Sequence, residues 1–395
     1  MRAKLIGRVA AGVEAEVRSS PWSRRILDDP LFFMEQCLRI VPKAGGGVVP
    51  FVLNVEQRQF LKIIWRAWVS GKPVRVIVLK ARQLGISTVT EAFLYWLAST
   101  RKNTTALILA HEAPAVRNVL EMSHRFAMHD GRLEKNEMPL IGGVSREELS
   151  FDNPDWRTRA VKRGLGSKIR VAVAENKSAG HSSTLQAFHG SECARWREPE
   201  VLTGILNALP FMRETFGVLE STAHGASGMF YDIWADAEAG KNEWTPFFLS
   251  WKGRPEYRLP IAEGEVFVRT EDEERLRVEH GLVDEELKWR RAMLASPAFR
   301  GADRSPAEVF REQFPLSPAE AFVTSGHSYF DMGQLAEQEI AAGRATFTQG
   351  AIVPRGGALP AKLIRGEKPE VDFLVNTAGR LRIWKPPEEG SAYIV

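Results

Sequence analysis

The spacing of hydrophobic positions changes along the chain, and each change marks an element. "VEQRQFLKIIWRAWVSG", residues 55–71, carries apolar side chains at helical spacing, and Gly71 followed by Pro73 closes the helix. Five short runs then stand out as almost wholly apolar or small: "VRVIVL" (74–79), "TALILA" (105–110), "IRVAVA" (169–174), "LQAFHG" (185–190) and "FGVLES" (216–221). Helical or looped stretches separate them. Apolar strands alternating with helices predict an α/β fold with a central, largely parallel sheet flanked by helices on both faces. Residues 1–45 read as a helical segment that ends at "PKAGGG" (42–47), where glycines mark a boundary. Residues 270–294 are charged and helical, with a break at Gly281. Beyond Phe330, Gly and Pro become frequent. There "DFLVNTAGRLRIW" (372–384) reads as a hairpin, and "SAYIV" reads as the start of a strand.

Composition narrows the class. The chain has 395 residues, 44% hydrophobic and 26% charged, which suits a globular protein of two or three domains. Its two cysteines, Cys37 and Cys193, build neither a zinc cluster nor a disulfide framework. The first residues, "MRAKLIGRVAAGVEAEV", lack the apolar run of a signal peptide. No apolar stretch reaches the roughly 18 residues that a membrane span needs. The net charge of +4 permits a polyanionic partner without requiring one.

Candidate chemistry gathers at the carboxyl ends of the predicted strands, where ligands bind in open α/β sheets. "LKARQLGIST" (79–88) follows a strand and precedes the helical "STVTEAFLYWLAS", the context of a phosphate-binding loop. The spacing departs from the usual pattern, because Lys80 stands where the first glycine is expected and Ile86 where the lysine is expected. The physics of the loop is retained. Backbone N–H groups and a helix N-terminus converge on an anion, and Gly85 lets the backbone approach it. The candidate ATP-binding residues are Lys80, Ala81, Arg82, Gln83, Leu84, Gly85, Ile86, Ser87 and Thr88. Ser87 or Thr88 offers a hydroxyl to Mg²⁺, Lys80 reaches the β- and γ-phosphates, and Arg82 adds a second cation for the transition state. The plainer alternative is a strand–turn–helix junction with solvated basic side chains.

Three further stretches accompany the loop. In "FHGSECARW" (188–196), Glu192 stands at a strand terminus, where a carboxylate can polarise water for attack on a γ-phosphate. The preceding position usually holds a metal-binding aspartate but here is Ser191, which holds an ion weakly or through water. "LESTAHG" (219–225) closes the last strand, and its small hydroxyl residues can sense a γ-phosphate. In "VPFVLNVEQRQFL" (49–61), Gln57 or Gln59 is placed to read an adenine edge.

Taken in order, these four stretches resemble the ATPase domain of the large terminase subunit of tailed bacteriophages, from about Pro50 to Phe330. The "RQ-x-G" loop appears as Arg82, Gln83 and Gly85, and some family members also carry the lysine at the loop's start. "SE-x-A-x-W" appears as Ser191, Glu192, Ala194 and Trp196. "ST-x-x-G" followed by "FY-x-x-W" appears as Ser221, Thr222, Gly225, Phe230, Tyr231 and Trp234, with His224 where asparagine is usual. "WTPFFLSW" (244–251) and "FREQFPLSPAEAFVTSG" (310–326) are further family-like stretches.

The resemblance implies a P-loop ATPase with a small helical lid. It divides the chain into an N-terminal segment (1–48), an ATPase core (49–255), a lid or linker (256–330), and a connector with the start of a ribonuclease-H-like nuclease (331–395). It implies ATP and Mg²⁺ as cofactors, Glu192 and Arg82 as catalytic residues, Ser87 and Ser191 near the metal, and Ser221, Thr222 and Ala223 as coupling residues. It also implies double-stranded DNA, a portal protein and a small terminase subunit as partners, a homo-oligomeric ring, and action in the cytoplasm of an infected bacterial host. "W-x-x-P-x-x-G-x-x-Y", the family's lead-in to its nuclease, is matched by Trp384, Pro387, Gly390 and Tyr393. The sequence stops at Val395, before the first expected nuclease aspartate, so ATP hydrolysis without DNA cleavage is expected.

"WRTRAVKRGLGSKIR" (156–170) holds six basic residues and no acid. Arg157, Arg159, Lys162, Arg163, Lys168 and Arg170 are candidates to grip DNA phosphates, and a solvated face is the plainer alternative. The eight histidines show no ligand spacing, so Mg²⁺ is the only metal expected. Two other functions keep the same loop: a helicase-like remodelling ATPase, and a nucleotide-binding scaffold without turnover.

Overall fold

The fold comes from a computed structural model, which describes residues 20–176, 184–299, 304–322, 348–354, 371–378 and 381–383. Helices α1 (Pro21–Asp28) and α2 (Pro30–Cys37) lead into a short antiparallel pairing of β1 (Arg39–Ile40) with β2 (Val49–Pro50). Then follow α3 (Val55–Val69), β3 (Val74–Lys80), α4 (Ile86–Thr100), β4 (Thr105–Ala110) and α5 (Ala113–Met128). Next come β5 (Gly143–Val144), β6 (Glu148–Phe151), β7 (Ser167–Val173), β8 (Ala187–Ser191), α6 (Pro199–Ala208), β9 (Phe216–Ser221), α7 (Met229–Glu238) and β10 (Thr245–Leu249). The helices α8 (Glu271–His280), α9 (Asp284–Ala295), α10 (Pro306–Gln313) and α11 (Pro318–Phe322) precede β11 (Thr348–Pro354), β12 (Val371–Val375) and β13 (Leu381–Ile383).

One eight-stranded sheet organises the molecule, in the order β10-β3-β9-β8-β4-β7-β6-β5. The first six strands run parallel, and β6 and β5 extend the far edge antiparallel. Strand alternation assigns the two faces. In β3, Val74, Val76 and Val78 join the core under α3, α4 and α5, while Ile77 and Leu79 join the core under α6 and α7. With apolar residues facing both ways, β3 is buried along its whole length, as a central parallel strand requires. Helix α4 is buried almost all round because it packs on the sheet while other helices cover it.

The predicted strands at 74–79, 105–110 and 216–221 are found, with β3 extended to Lys80. The runs at 169–174 and 185–190 are found shifted by one or two residues. β5 and β6 are too short and polar to show in the pattern. The break at Gly281 is also found. This glycine caps α8 in the left-handed conformation, at φ 63°.

Two expectations need correction. The N-terminal segment is not helical throughout, since β1 interrupts it at Arg39–Ile40. The stretch 372–384 does not form a hairpin of two strands paired with each other, because β12 and β13 each pair with β11, which lies between them. The run "TQGAIVP", which its pattern does not mark as a strand, takes the hydrogen-bonding edge of both. "SAYIV" and the tetrad Trp384, Pro387, Gly390 and Tyr393 lie outside the described residues.

The chain forms two compact units, Met1–Gly326 and His327–Val395. The second holds the three-stranded sheet of β11, β12 and β13. Within the first, α8, α9 and α10 form a helical subdomain. Trp251, Tyr257, Trp289, Phe299, Phe310 and Phe314 pack against one another at its centre. No helix among the described residues is long and apolar enough to cross a membrane.

Candidate nucleotide site

The site is built where β3 turns into α4. The turn uses two left-handed residues, Gln83 (φ 58°) and Gly85 (φ 75°), and helix α4 starts without a side-chain cap. Its first N–H groups therefore carry no side-chain cap, as a helix end that receives an anion would. The loop backbone is held from several directions. Ala81 N–H donates to Leu249 O (2.9 Å) and Arg82 N–H to Gln313 O (3.0 Å). Tyr257 Oη donates to Arg82 O (2.5 Å), Lys43 Nζ to Gln83 O (2.5 Å) and Gln57 Nε2 to Gly85 O (2.8 Å). Gly85 takes a positive φ of 75°, which favours glycine, and a Cβ there would come within 2.7 Å of Gln57 Nε2, so that side-chain end would have to shift.

These contacts distinguish the two glutamines. Gln57 caps α3 through Oε1, which accepts from Asn54 N–H at 3.0 Å, and its Nε2 holds the loop, so its amide is engaged at both ends. It lines a cleft shared with Lys43, Gln83, Gly85, Thr88 and Arg254. Gln59 is exposed on α3 and does not line that cleft. Ala81, Leu84 and Ile86 are buried supports of the loop, whereas the Arg82 side chain is exposed and makes no ion pair among the described residues.

Sheet register brings the remaining groups to the same edge. β9 lies between β3 and β8, with Ser221 opposite Leu79 and Glu220 opposite Ser191. Lys80, 5% exposed, reaches Glu192 Oε1 at 3.2 Å and lies 4.0 Å from Glu220 Oε2. Burial lowers the pKa of this ammonium, but Glu192 and then Glu220 more than offset it and hold it above the usual lysine value. Glu192 has left-handed backbone (φ 53°), and Thr222 Oγ1 donates to its Oε2 at 3.5 Å. Lys80 and Glu192, both expected at the site from their motifs, thus stand beside each other across 112 residues of chain.

The acidic residue that sequence reading missed is Glu220. It is fully buried, accepting from Ser87 Oγ at 2.5 Å and Ser191 Oγ at 3.4 Å, and it lies 3.1 Å from His189 Nε2. Burial opposes its charge, yet Lys80, His189 and Ser87 bring its pKa down to about 2. On the other side of His189, Nδ1 lies 2.5 Å from Glu91 Oε1 of α4. Burial lowers the pKa of the imidazole, but hydrogen bonds to Glu220 and Glu91 push it up to about 9. The signal was present in "FGVLES", where Glu220 is the one charge in an otherwise uncharged strand.

The small residues after β9 are tied to the same centre. Ser221, Thr222 and Ala223 are buried, and Ser221 Oγ accepts from Ala194 N–H at 3.2 Å. His224, next in line, lies 3.8 Å from Glu312 on α10. The stretch Ser221–His224 thus contacts the segment after Glu192 at one end and α10 at the other.

The six basic candidates divide. Arg157, Lys162 and Arg163 are exposed on the turn after β6, beside Trp156, which is 75% exposed. Arg159 is drawn back to Asn153 O, with Nη2 at 2.7 Å, and Lys168 lies 3.8 Å from Glu148. Lys168 and Arg170 belong to β7 rather than to the turn.

No protein-family profile matches the chain. Among solved structures it is similar to the large terminase of bacteriophage HK97, at 14% identity and a TM-score of 0.48, over 73% of this chain and 54% of that one. It is similar to the large terminase ATPase domain of Thermus phage P74-26, at 16% identity and a TM-score of 0.41, over 66% of this chain and 97% of that one. A third is the large terminase of another thermophilic bacteriophage in complex with ADP, at 10% identity and a TM-score of 0.36, over 50% of this chain and 46% of that one. The chain thus spans about half the length of the HK97 protein and of this third terminase.

Proposed function

We propose that this chain binds and hydrolyses ATP as the motor subunit of a viral terminase that moves double-stranded DNA into a procapsid. The observation that carries the hydrolytic reading is Glu192, held by Lys80 and Thr222 at the end of β8 beside the phosphate loop. In this reading the loop N–H groups and Lys80 bind the phosphates, and Ser87 offers its hydroxyl to Mg²⁺. When bound, Mg²⁺ neutralises phosphate charge. Glu192 orients a water and takes its proton as the oxygen attacks the γ-phosphorus. The bond to the β-phosphate oxygen breaks, and ADP and phosphate leave. The exposed guanidinium of Arg82 is free to approach the γ-phosphate once a nucleotide sits on the loop.

Ser221 and Thr222 are the coupling residues, because Thr222 bonds Glu192 while the following His224 meets the lid. Arg157, Lys162 and Arg163 form the most available part of the DNA-facing candidate, with Arg159, Lys168 and Arg170 behind them. A homo-oligomeric ring, a portal protein, a small terminase subunit and the cytoplasm of an infected bacterial host complete the proposal through the sequence resemblance. The test is ATP turnover, with and without duplex DNA, for the wild type and Glu192→Gln. Loss of a general base predicts a fall of about 10²–10⁴-fold. Equal rates in the two proteins would defeat the hydrolytic reading.

A further inference from the structure

The strand that ordinarily presents a metal-binding aspartate before the catalytic glutamate here presents Ser191. The acid lies one strand over. Glu220, the penultimate residue of β9, lies directly opposite Ser191 in the parallel register, and β9 is the strand adjacent to the phosphate-loop strand. Its Oε1 already accepts from the hydroxyl of Ser87, the loop residue that the proposed function assigns to Mg²⁺. Its Oε2 is buried with no hydrogen-bond partner, and Lys80 Nζ is 4.0 Å away. A fully buried carboxylate oxygen left without a donor is costly unless something else occupies its lone pairs. His189, itself anchored by Glu91, fixes the carboxylate from behind, as the outer partner of a metal ligand does.

We propose that Glu220 supplies the acidic contact to the Mg²⁺ of bound MgATP, directly or through a coordinated water, and replaces from β9 the aspartate that β8 lacks. The proposal rests on the nucleotide reading above. The donor set suits this ion: one hydroxyl and one carboxylate from the protein, with phosphate oxygens and waters completing an octahedron. Ser191 then needs no metal-binding role, and its hydroxyl donates to Glu220 instead (3.4 Å).

The test is equilibrium binding of ATPγS with Mg²⁺ and with EDTA, which needs no turnover. In the wild type, Mg²⁺ is expected to tighten binding by about tenfold or more. In Glu220→Gln that gain, read as the ratio of affinities with Mg²⁺ and with EDTA for the same protein, should vanish. Adding Ser191→Asp to Glu220→Gln, which returns an acid from β8, should restore part of the gain. If Glu220→Gln does not fold, Glu220→Asp keeps the charge that Lys80 and His189 pair with but withdraws it by one methylene. A folded Glu220→Asp with a diminished gain supports the proposal, and an undiminished gain in either folded single variant overturns it. A wild type that binds ATPγS under neither condition would overturn the nucleotide reading itself.

Discussion

At the scale of single residues, the centre of the molecule is an alternation of charge that the chain assembles from four elements. Glu91 of α4, His189 of β8, Glu220 of β9 and Lys80 of β3 follow one another as acid, base, acid, base, each 5% exposed or less. Removing one member of such a buried set leaves its neighbours unpaired, which costs more than the pairing itself contributes. The imidazole makes the arrangement sensitive to pH. Its folded pKa, pushed up to about 9 by Glu220 and Glu91 against burial, lies above the usual 6.5. A group raised on folding stabilises fully below its unfolded value, and the contribution is lost as pH rises through the folded value. Thermal stability is therefore expected to decline from about pH 6.5 to pH 9, and His189→Gln should be less stable at about pH 6 yet flatter across that range. Melting temperatures of both proteins at half-unit steps check this. Equal slopes would exclude His189 as the source of the decline.

At the scale of elements, legibility followed from how local the determining physics is. β4 and β9 were readable to the residue, because a central parallel strand is apolar on both faces and polar neighbours bound it sharply. Lys80 and Glu192 were readable because each sits at a strand end within its own motif. Glu220 was not, because its role exists only once β9 is inserted between β3 and β8, a fact of register that no spacing within "LESTAHG" encodes. Gln57 was legible as important but not in its contacts, since its amide serves the helix cap and Gly85 together. The false hairpin had the same origin, a partner strand distant in sequence.

The turn after β6 was legible only as charge, and the structure sorts that charge by availability. Arg157, Lys162 and Arg163 make no ion pair among the described residues, whereas Arg159 is engaged by Asn153 O. Replacing those three by Gln is expected to weaken duplex binding most at low salt. It should also reduce the slope of log affinity against log salt by up to roughly 0.9 for each phosphate no longer neutralised. An unchanged slope in a salt titration of fluorescent duplex would return this turn to the solvated face.

At the scale of the whole molecule, the sheet divides the first unit into two cores, and each core holds one cysteine. Cys37 lies at the end of α2 in the core under α3–α5, and Cys193 lies just after Glu192 in the core under α6 and α7. Neither is solvent-exposed, and neither forms a disulfide. Burial, with Asp130 adding to it, pushes the Cys37 thiol up to about 12, and burial raises Cys193 well above its usual value. Alkylation needs the thiolate, so both should resist iodoacetamide at about pH 8 until the surrounding core opens. The two sites differ in what opens them. Cys193 follows the residue that meets Lys80, beside the proposed nucleotide loop, whereas Cys37 packs far along the chain against Gly131 and α4. Ligand binding suppresses only those openings that disrupt its site. ATPγS with Mg²⁺ is thus expected to slow alkylation of Cys193 more than that of Cys37, measured by peptide mass after timed labelling. Equal protection of both would mean that the two cores open only together, as one cooperative unit spanning the sheet, and protection of neither would place the nucleotide elsewhere.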